Sequence, residues 1–407
     1  MKCGLLGRKL GHSYSPQIHA LLGNYSYQLF EKEPEEIGDF LKNGDFTGLN
    51  VTIPYKKEVI PFLDELSPAA ARLGAVNTIV RRDGKLIGHN TDYFGFRRLV
   101  QESGLQVAGK KVLVLGSGGA SSTAVAVLQE LGAKVTVISR SGENNYENLD
   151  RHADASVIVN TTPVGMYPNT GKSALSLEGF PRLEGVLDAV YNPARTQILL
   201  DAERRGLAAV NGLWMLVAQA KESAEWFTGE EIPDSRIAKI HHTLRLQMEN
   251  IILIGMPGCG KTAVGQQLAQ KLGKKFVDAD ESLEARVCRK ITDIIPNDGE
   301  AAFREMESET LAELGKQSGL VIATGGGCVT QPQNYPLLHQ NGTIFWLKRE
   351  LDKLPTDGRP LSQKGTLGQM YEARMPLYLR FADAAISNDG SIAETASAIC
   401  RKLEETT

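Results

Sequence analysis

Residues 255–262 read GMPGCGKT, a complete G-x-x-x-x-G-K-[ST] phosphate-binding loop. Such a loop needs a buried strand before it and a helix after it, because its backbone N–H groups must converge on a phosphate at a helix N-terminus. Ile251, Ile252, Leu253 and Ile254 supply the strand, and a helical pattern begins near Ala263. Loops of this kind follow the first strand of their own domain, so residues 1–247 must form something separate. The motif therefore predicts a domain boundary near Met248 as well as phosphoryl chemistry.

The 407 residues are more than one core usually holds, which predicts two to three domains. A formal net charge of −3 gives no electrostatic reason to bind nucleic acid or an anionic membrane. Cys3, Cys259, Cys288, Cys328 and Cys400 are scattered without C-x-x-C spacing, as expected of reduced thiols rather than a disulfide framework. No apolar run approaches the roughly 18 residues of a membrane span, and the first residues lack the apolar core of a secretory signal. The expected location is cytoplasmic; oligomeric state is not readable.

Short β-branched or Leu-rich runs alternate with helical patterns, which predicts an α/β architecture with mostly parallel sheets. Strands are expected at 4–6, 27–30, 49–53, 77–80, 111–115, 134–138, 156–159 and 185–189. Helices are expected at 93–101, 120–131, 213–227 and 235–247. No Gly/Ser-rich or Pro-rich linker separates the two halves.

Gly116, Gly118 and Gly119 follow the 111–115 strand and open a helix, as a dinucleotide-binding turn requires, although Ser121 stands where the fingerprint has its third glycine. An NAD site wants an acid at the end of the next strand; here Ser139, Arg140 and Ser141 stand there, and an arginine suits the 2′-phosphate of NADP. Reduction of a ketone also needs a proton donor. Asn50, Thr52, Lys56, Asn77 and Asp92 offer polar groups at strand ends and loops, though by composition alone Lys56 reads as a surface lysine.

The ordered motifs SYSP (13–16), NVTIPYK (50–56), GAVNT (74–78), NTD (90–92), GSGGA (116–120), NTTPVGM (160–166) and GLWMLVAQ (212–219) resemble the shikimate dehydrogenase family over residues 1–230. The resemblance implies that Lys56, paired with Asp92, is the acid/base group. It implies that Ser13, Ser15, Thr52, Asn77, Tyr191 and Gln219 hold shikimate. It implies NADP contacts from Gly116, Ser117, Gly118, Gly119, Ala120, Arg140, Met166 and Gly212. The subdivisions that follow are a substrate domain (1–100), a Rossmann NADP domain (101–211) and closing helices (212–247). The family's second basic residue after Arg140 is absent here, and Glu143 stands nearby. An NAD-using quinate or shikimate dehydrogenase is therefore the alternative.

In the second half, backbone N–H groups of Gly258, Cys259, Gly260 and Lys261 can cradle phosphates, the Lys261 side chain can reach the β/γ-phosphates, and Thr262 can ligate Mg²⁺. Asp278 and Asp280 follow a short strand at 275–277, and strand alternation would turn both carboxylates to one side, one for the metal and one for an acceptor hydroxyl. Read alone, such acids are helix caps. Arg304, Arg359 and Arg374 are candidates for gripping carboxylate or phosphate. The run Gly325, Gly326, Gly327 suits close backbone approach to a ligand. Together with GEAAFR (299–304), RPL (359–361) and RMPLY (374–378), these motifs resemble the shikimate kinase family over 249–407.

That resemblance implies Thr262 and Asp278 on Mg²⁺, and Asp280 on the acceptor hydroxyl. It places Arg304 and Arg374 on the shikimate carboxylate, Gly326 on its ring, and Arg359 on the phosphates of ATP from a lid. The expected whole is a bifunctional enzyme that reduces 3-dehydroshikimate with NADPH and phosphorylates shikimate with MgATP. A P-loop regulatory switch is disfavoured, because no Asn-Lys-x-Asp base-reading motif occurs. Cys259, at a helix N-terminus, is a candidate reactive thiol.

Overall fold

The computed structural model describes residues 1–11, 13–354 and 367–405. The chain divides into two compact units. The first holds Met1–Val164, Ser173–Tyr191 and Asp201–Thr243; the second holds Gly165–Lys172, Asn192–Leu200 and Leu244–Thr407.

The first unit contains two sheets. In one, β1 (Lys2–Gly7), β2 (Ser26–Glu31), β3 (Gly48–Val51), β4 (Glu65–Leu66), β5 (Thr78–Arg82) and β6 (Lys85–His89) stand in the order β2-β1-β3-β5-β6-β4. β1 pairs in parallel with β2 and β3, whereas β5 runs antiparallel to β3 and β6, so this sheet is mixed. The reversal is local: Asp83 and Gly84, both at positive φ, make a two-residue turn across which Arg82 pairs with Lys85. The strand expected over 49–53 stops at Val51, shortly before Pro54, which has no N–H to give to a ladder.

The other sheet is wholly parallel, with β7 (Lys111–Leu115), β8 (Lys134–Ile138), β9 (Val157–Asn160), β10 (Gly185–Asp188) and β11 (Ala208–Val210) in the order β11-β10-β9-β7-β8. The strands expected at 111–115 and 134–138 have those bounds. Helices Asp92–Glu102 and Leu213–Thr228 pack against each other. Gly95 permits this approach, since a Cβ there would lie 2.6 Å from the Met215 carbonyl oxygen.

The second unit has one parallel sheet, β12 (Asn250–Ile254), β13 (Lys275–Asp278), β14 (Leu320–Ala323), β15 (Gly342–Lys348) and β16 (Ala384–Ser387), in the order β13-β14-β12-β15-β16. Ile251, Ile252, Leu253 and Ile254 are fully buried; each such side chain contributes roughly 1.5–3 kcal/mol. In both parallel sheets the chain enters at an inner strand, β7 or β12, and later strands lie on both sides of it. The loops after β7 and β12 therefore open at the crevice where crossover helices part to opposite faces, the place where α/β sheets bind ligands.

Candidate active sites

In the first unit, Ser13, Ser15, Thr52, Lys56, Asn77, Asp92, Tyr191 and Gln219 all line one cavity of about 240 Å³. Lys56 comes from the turn after β3, fixed by Tyr55 N–H to Thr52 O at 2.9 Å and by Val76 N–H to Lys56 O at 2.7 Å. Tyr55 beside it is fully buried, which pins the backbone and leaves Lys56 facing the cavity. Asp92 is the first residue of helix Asp92–Glu102, where the helix dipole favours a carboxylate. Lys56 Nζ donates to Asp92 Oδ2 at 2.5 Å. Asn77 Oδ1 accepts from Thr91 N–H at 2.7 Å, and Asn77 Nδ2 reaches Gln219 Oε1 at 3.5 Å. The Tyr191 ring meets Tyr14 edge to face, and burial raises the pKa of its hydroxyl.

The turn after β7 fits a dinucleotide. Gly116 has φ of 107°, and a Cβ at Gly118 or Gly119 would meet no atom within 4 Å, so the backbone at the start of helix Gly119–Glu130 faces open space. An anion there meets unpaired N–H groups and the helix dipole. Ser117 and Ala120 complete this turn. Arg140 is exposed two residues beyond the end of β8, as a partner for a 2′-phosphate must be. Gly212 lines the same cavity as Lys56 and Asp92, and a Cβ on it would sit 2.1 Å from the Ala189 carbonyl oxygen. Met166 is exposed on Gly165–Lys172, a segment grouped with the second unit.

In the second unit a cavity of about 470 Å³ gathers Gly258, Gly260, Lys261, Thr262, Asp278, Asp280, Arg304, Gly326 and Arg374. Lys261 Nζ donates to the carbonyls of Gly255 at 2.9 Å and Met256 at 3.1 Å, across the loop that would hold the phosphates. Thr262 Oγ1 donates to Asp278 Oδ2 at 3.0 Å, so a hydroxyl and a carboxylate meet as hard oxygen donors suited to Mg²⁺. Among the described residues no cluster of three or more His, Cys, Asp or Glu gathers to hold a metal.

Asp278 and Asp280 do converge, but strand alternation is not the reason. Asp278 ends β13 and caps helix Ala279–Val287, its Oδ1 accepting from Asp280 N–H at 3.0 Å and Glu281 N–H at 3.4 Å. Asp280 lies in the first turn of that helix. Burial, then the charges of Asp278 and Glu307, push its pKa up to about 6. Arg304 donates to Glu307 Oε2 at 2.8 Å and to Glu300 Oε1 at 3.1 Å; Arg374 donates to the Gly326 carbonyl at 3.2 Å.

The three glycines allow crowding rather than unusual backbone angles. A Cβ at Gly325 would lie 2.6 Å from Glu307 Oε1 and 2.9 Å from Asp280 Oδ1, and one at Gly327 would lie 2.3 Å from an Arg304 nitrogen.

Three further residues belong to this site. Glu307 is buried with Oε1 unpartnered; its spacing of three from Arg304 on one helix was the available signal. Tyr378 O–H donates to the Gly326 carbonyl at 2.6 Å, beside Arg374. Asn388, which no motif marks, donates to the Cys259 carbonyl at 2.6 Å and accepts from Thr395 Oγ1 at 2.7 Å, holding the loop from β16. The Cys259 side chain is fully buried, which counts against ready reactivity. Arg359 lies outside the described residues.

The family model "Shikimate dehydrogenase substrate binding domain" matches residues 5–79, and "Shikimate kinase" matches residues 257–404. The chain is 37% identical over 264 residues to a shikimate dehydrogenase (NADP(+)) of Clostridium perfringens, covering 60% of this chain and 97% of that relative. It is similar to the crystal structure of shikimate dehydrogenase 1 from Peptoclostridium difficile, with TM-score 0.55 and 38% identity over 60% of this chain and 98% of the other. A second structure, shikimate 5-dehydrogenase from Thermus thermophilus in complex with NADP(H) and shikimate, matches with TM-score 0.54 and 30% identity over 60% and 99%.

Proposed function

Since the chain belongs to the shikimate dehydrogenase family and carries a shikimate kinase domain after that part, we infer that it catalyses two consecutive reactions from the two cavities described. One reduces 3-dehydroshikimate to shikimate with NADPH; the other phosphorylates shikimate with MgATP. We assign residues 1–247 to the first activity and 248–407 to the second. The observation that carries the reading is the convergence of all eight substrate and catalytic candidates on one cavity around the Lys56–Asp92 pair.

In the dehydrogenase, bound NADPH supplies the hydride. Lys56 gives its proton to the oxygen that becomes a hydroxyl, a role an ammonium fixed by a carboxylate can fill. Asp92 holds that ammonium in place, and Ser13, Ser15, Thr52, Asn77, Tyr191 and Gln219 orient the ring and its carboxylate. The Gly116–Ala120 backbone holds the pyrophosphate, and Arg140 selects the 2′-phosphate.

In the kinase, bound MgATP supplies the phosphoryl group. Catalysis of this kind is mostly positioning and charge neutralisation. Lys261 and the loop N–H groups neutralise the phosphates, and Thr262 with Asp278 holds the metal. Asp280 accepts the proton of the attacking hydroxyl, while Arg304 and Arg374 hold the acceptor's carboxylate.

The test uses 3-dehydroshikimate, NADPH, shikimate and MgATP with wild type, Lys56→Ala and Lys261→Ala. NADPH oxidation should vanish in the first variant alone, and ADP formation from shikimate in the second alone. Loss of both activities from one substitution would defeat the two-site reading.

A further inference from the structure

Thr91 precedes helix Asp92–Glu102, the position at which a threonine hydroxyl ordinarily accepts from an N–H of the first turn. Here its side chain makes no such bond. It turns inward instead, 1% exposed, where Oγ1 accepts from Asn77 Nδ2 at 3.0 Å and lies 2.9 Å from Ser223 Oγ. Its backbone N–H donates to Asn77 Oδ1 at 2.7 Å. One residue thus grips both ends of the Asn77 amide.

The hydrogen-bond inventory fixes the orientation. A backbone N–H can only donate, so Oδ1 must face it and Nδ2 must lie on the hydroxyl side. An amide Nδ2 can only donate, so the Thr91 oxygen accepts from Asn77 whichever neighbour takes the Thr91 proton: Ser223 Oγ at 2.9 Å, Asn77 Oδ1 at 3.2 Å or Thr78 Oγ1 at 3.3 Å. The other Nδ2 proton has a stretched 3.5 Å contact with Gln219 Oε1, at the edge of hydrogen-bond range and on the cavity wall.

We propose that Thr91 is a positioning residue of the dehydrogenase site, whose hydroxyl holds the Asn77 amide so that one Nδ2 proton is presented to a substrate hydroxyl. This rests on the reading of Asn77 as a substrate-binding residue. Thr91 itself does not touch substrate; it acts through Asn77.

The experiment measures steady-state shikimate oxidation by the full chain and by Thr91→Val, Thr91→Ser, Asn77→Ala and the Asn77→Ala/Thr91→Val double variant. Valine keeps the volume and the backbone N–H but removes the hydroxyl. The shikimate KM should rise about tenfold in Thr91→Val, the loss of the buried hydrogen bond that orients Asn77. The KM for NADP⁺ should hold, and the thermal midpoint should fall only by the few degrees that an unpaired buried polar group costs. Thr91→Ser should restore the shikimate KM to within about twofold, and Thr91→Val should add nothing in the Asn77→Ala background. If valine prevents folding, Thr91→Ala removes the same hydroxyl and carries the same expectation. A fall in kcat or in thermal midpoint at unchanged shikimate KM makes the hydroxyl merely structural and overturns the proposal. An unchanged KM in Asn77→Ala removes the Asn77 reading first, and the proposal with it; a raised KM there with none in Thr91→Val removes the proposal alone.

Discussion

Lys56 Nζ and Asp92 Oδ2 are 2.5 Å apart although 36 residues separate them in the chain. One rides the turn that follows β3 and the other opens the helix that leads toward the second sheet. The pair is partly exposed, at 30% and 15% of the side chains. An exposed pair adds at most about 1 kcal/mol to stability, so its use is orientation.

Asp92→Asn preserves an oxygen acceptor but removes the charge that fixes the Lys56 ammonium. We expect kcat for NADPH oxidation to drop on the order of a hundredfold, with little change in the unfolding midpoint or in ADP formation. Steady-state assays of both reactions on one preparation check this. A kcat within twofold of wild type would show that Lys56 needs no carboxylate partner.

Asp278 holds two jobs that can be separated. It caps helix Ala279–Val287 and it meets Thr262. Asparagine caps a helix about as well as aspartate, so Asp278→Asn should leave the fold intact. The Mg²⁺ concentration for half-maximal ADP formation should rise about ten- to hundredfold. A Mg²⁺ titration at saturating ATP reads this directly, and an unshifted curve would place the metal on other ligands.

The sequence discloses β7 and β8 with the expected bounds because each is a short run of mainly β-branched and apolar residues. β6 is harder to see, since Gly88 and His89 interrupt its apolar pattern; its signal was the Asp83 and Gly84 turn that pairs it with β5. Asp278 and Asp280 were legible as a pair, but their geometry comes from a helix cap, which period-two reasoning does not represent. Glu307 had a local signal, its spacing of three from Arg304 on one helix. Asn388 was hidden for a different reason: it acts on the Cys259 carbonyl, and no local pattern encodes a contact across 129 residues.

The thiols make a sharp comparison. Cys259 sits in the phosphate loop with its side chain buried, whereas Cys288 is exposed at the end of helix Ala279–Val287. Alkylation needs access as well as thiolate character. With limiting iodoacetamide, peptide mapping should find Cys288 labelled first and kinase activity unchanged at one label per chain. Labelling of Cys259 first, with loss of activity that ATP prevents, would restore the reactive-thiol expectation.

Asp280 links activity to acidity. Its folded pKa of about 6 stands above the ordinary 3.8, chiefly through burial and then through the charges of Asp278 and Glu307. The folded chain therefore keeps a proton that the unfolded chain has already lost. That proton stabilises the fold fully below the unfolded value, and the benefit disappears as pH rises through the folded value. Near neutrality the ionised, crowded carboxylate opposes folding by on the order of 3 kcal/mol. Asp280→Asn should consequently unfold at a higher temperature than wild type at neutral pH, with the difference shrinking as pH falls toward about 4. The same substitution should lower kcat for ADP formation by about a hundredfold or more, because no carboxylate remains to take the hydroxyl proton. In wild type, kcat/KM for shikimate should fall below pH about 6 with unit slope as Asp280 is protonated. A pH-independent kcat/KM across that window, or a variant less stable than wild type at neutral pH, would remove Asp280 from the role of base held ionised against its surroundings.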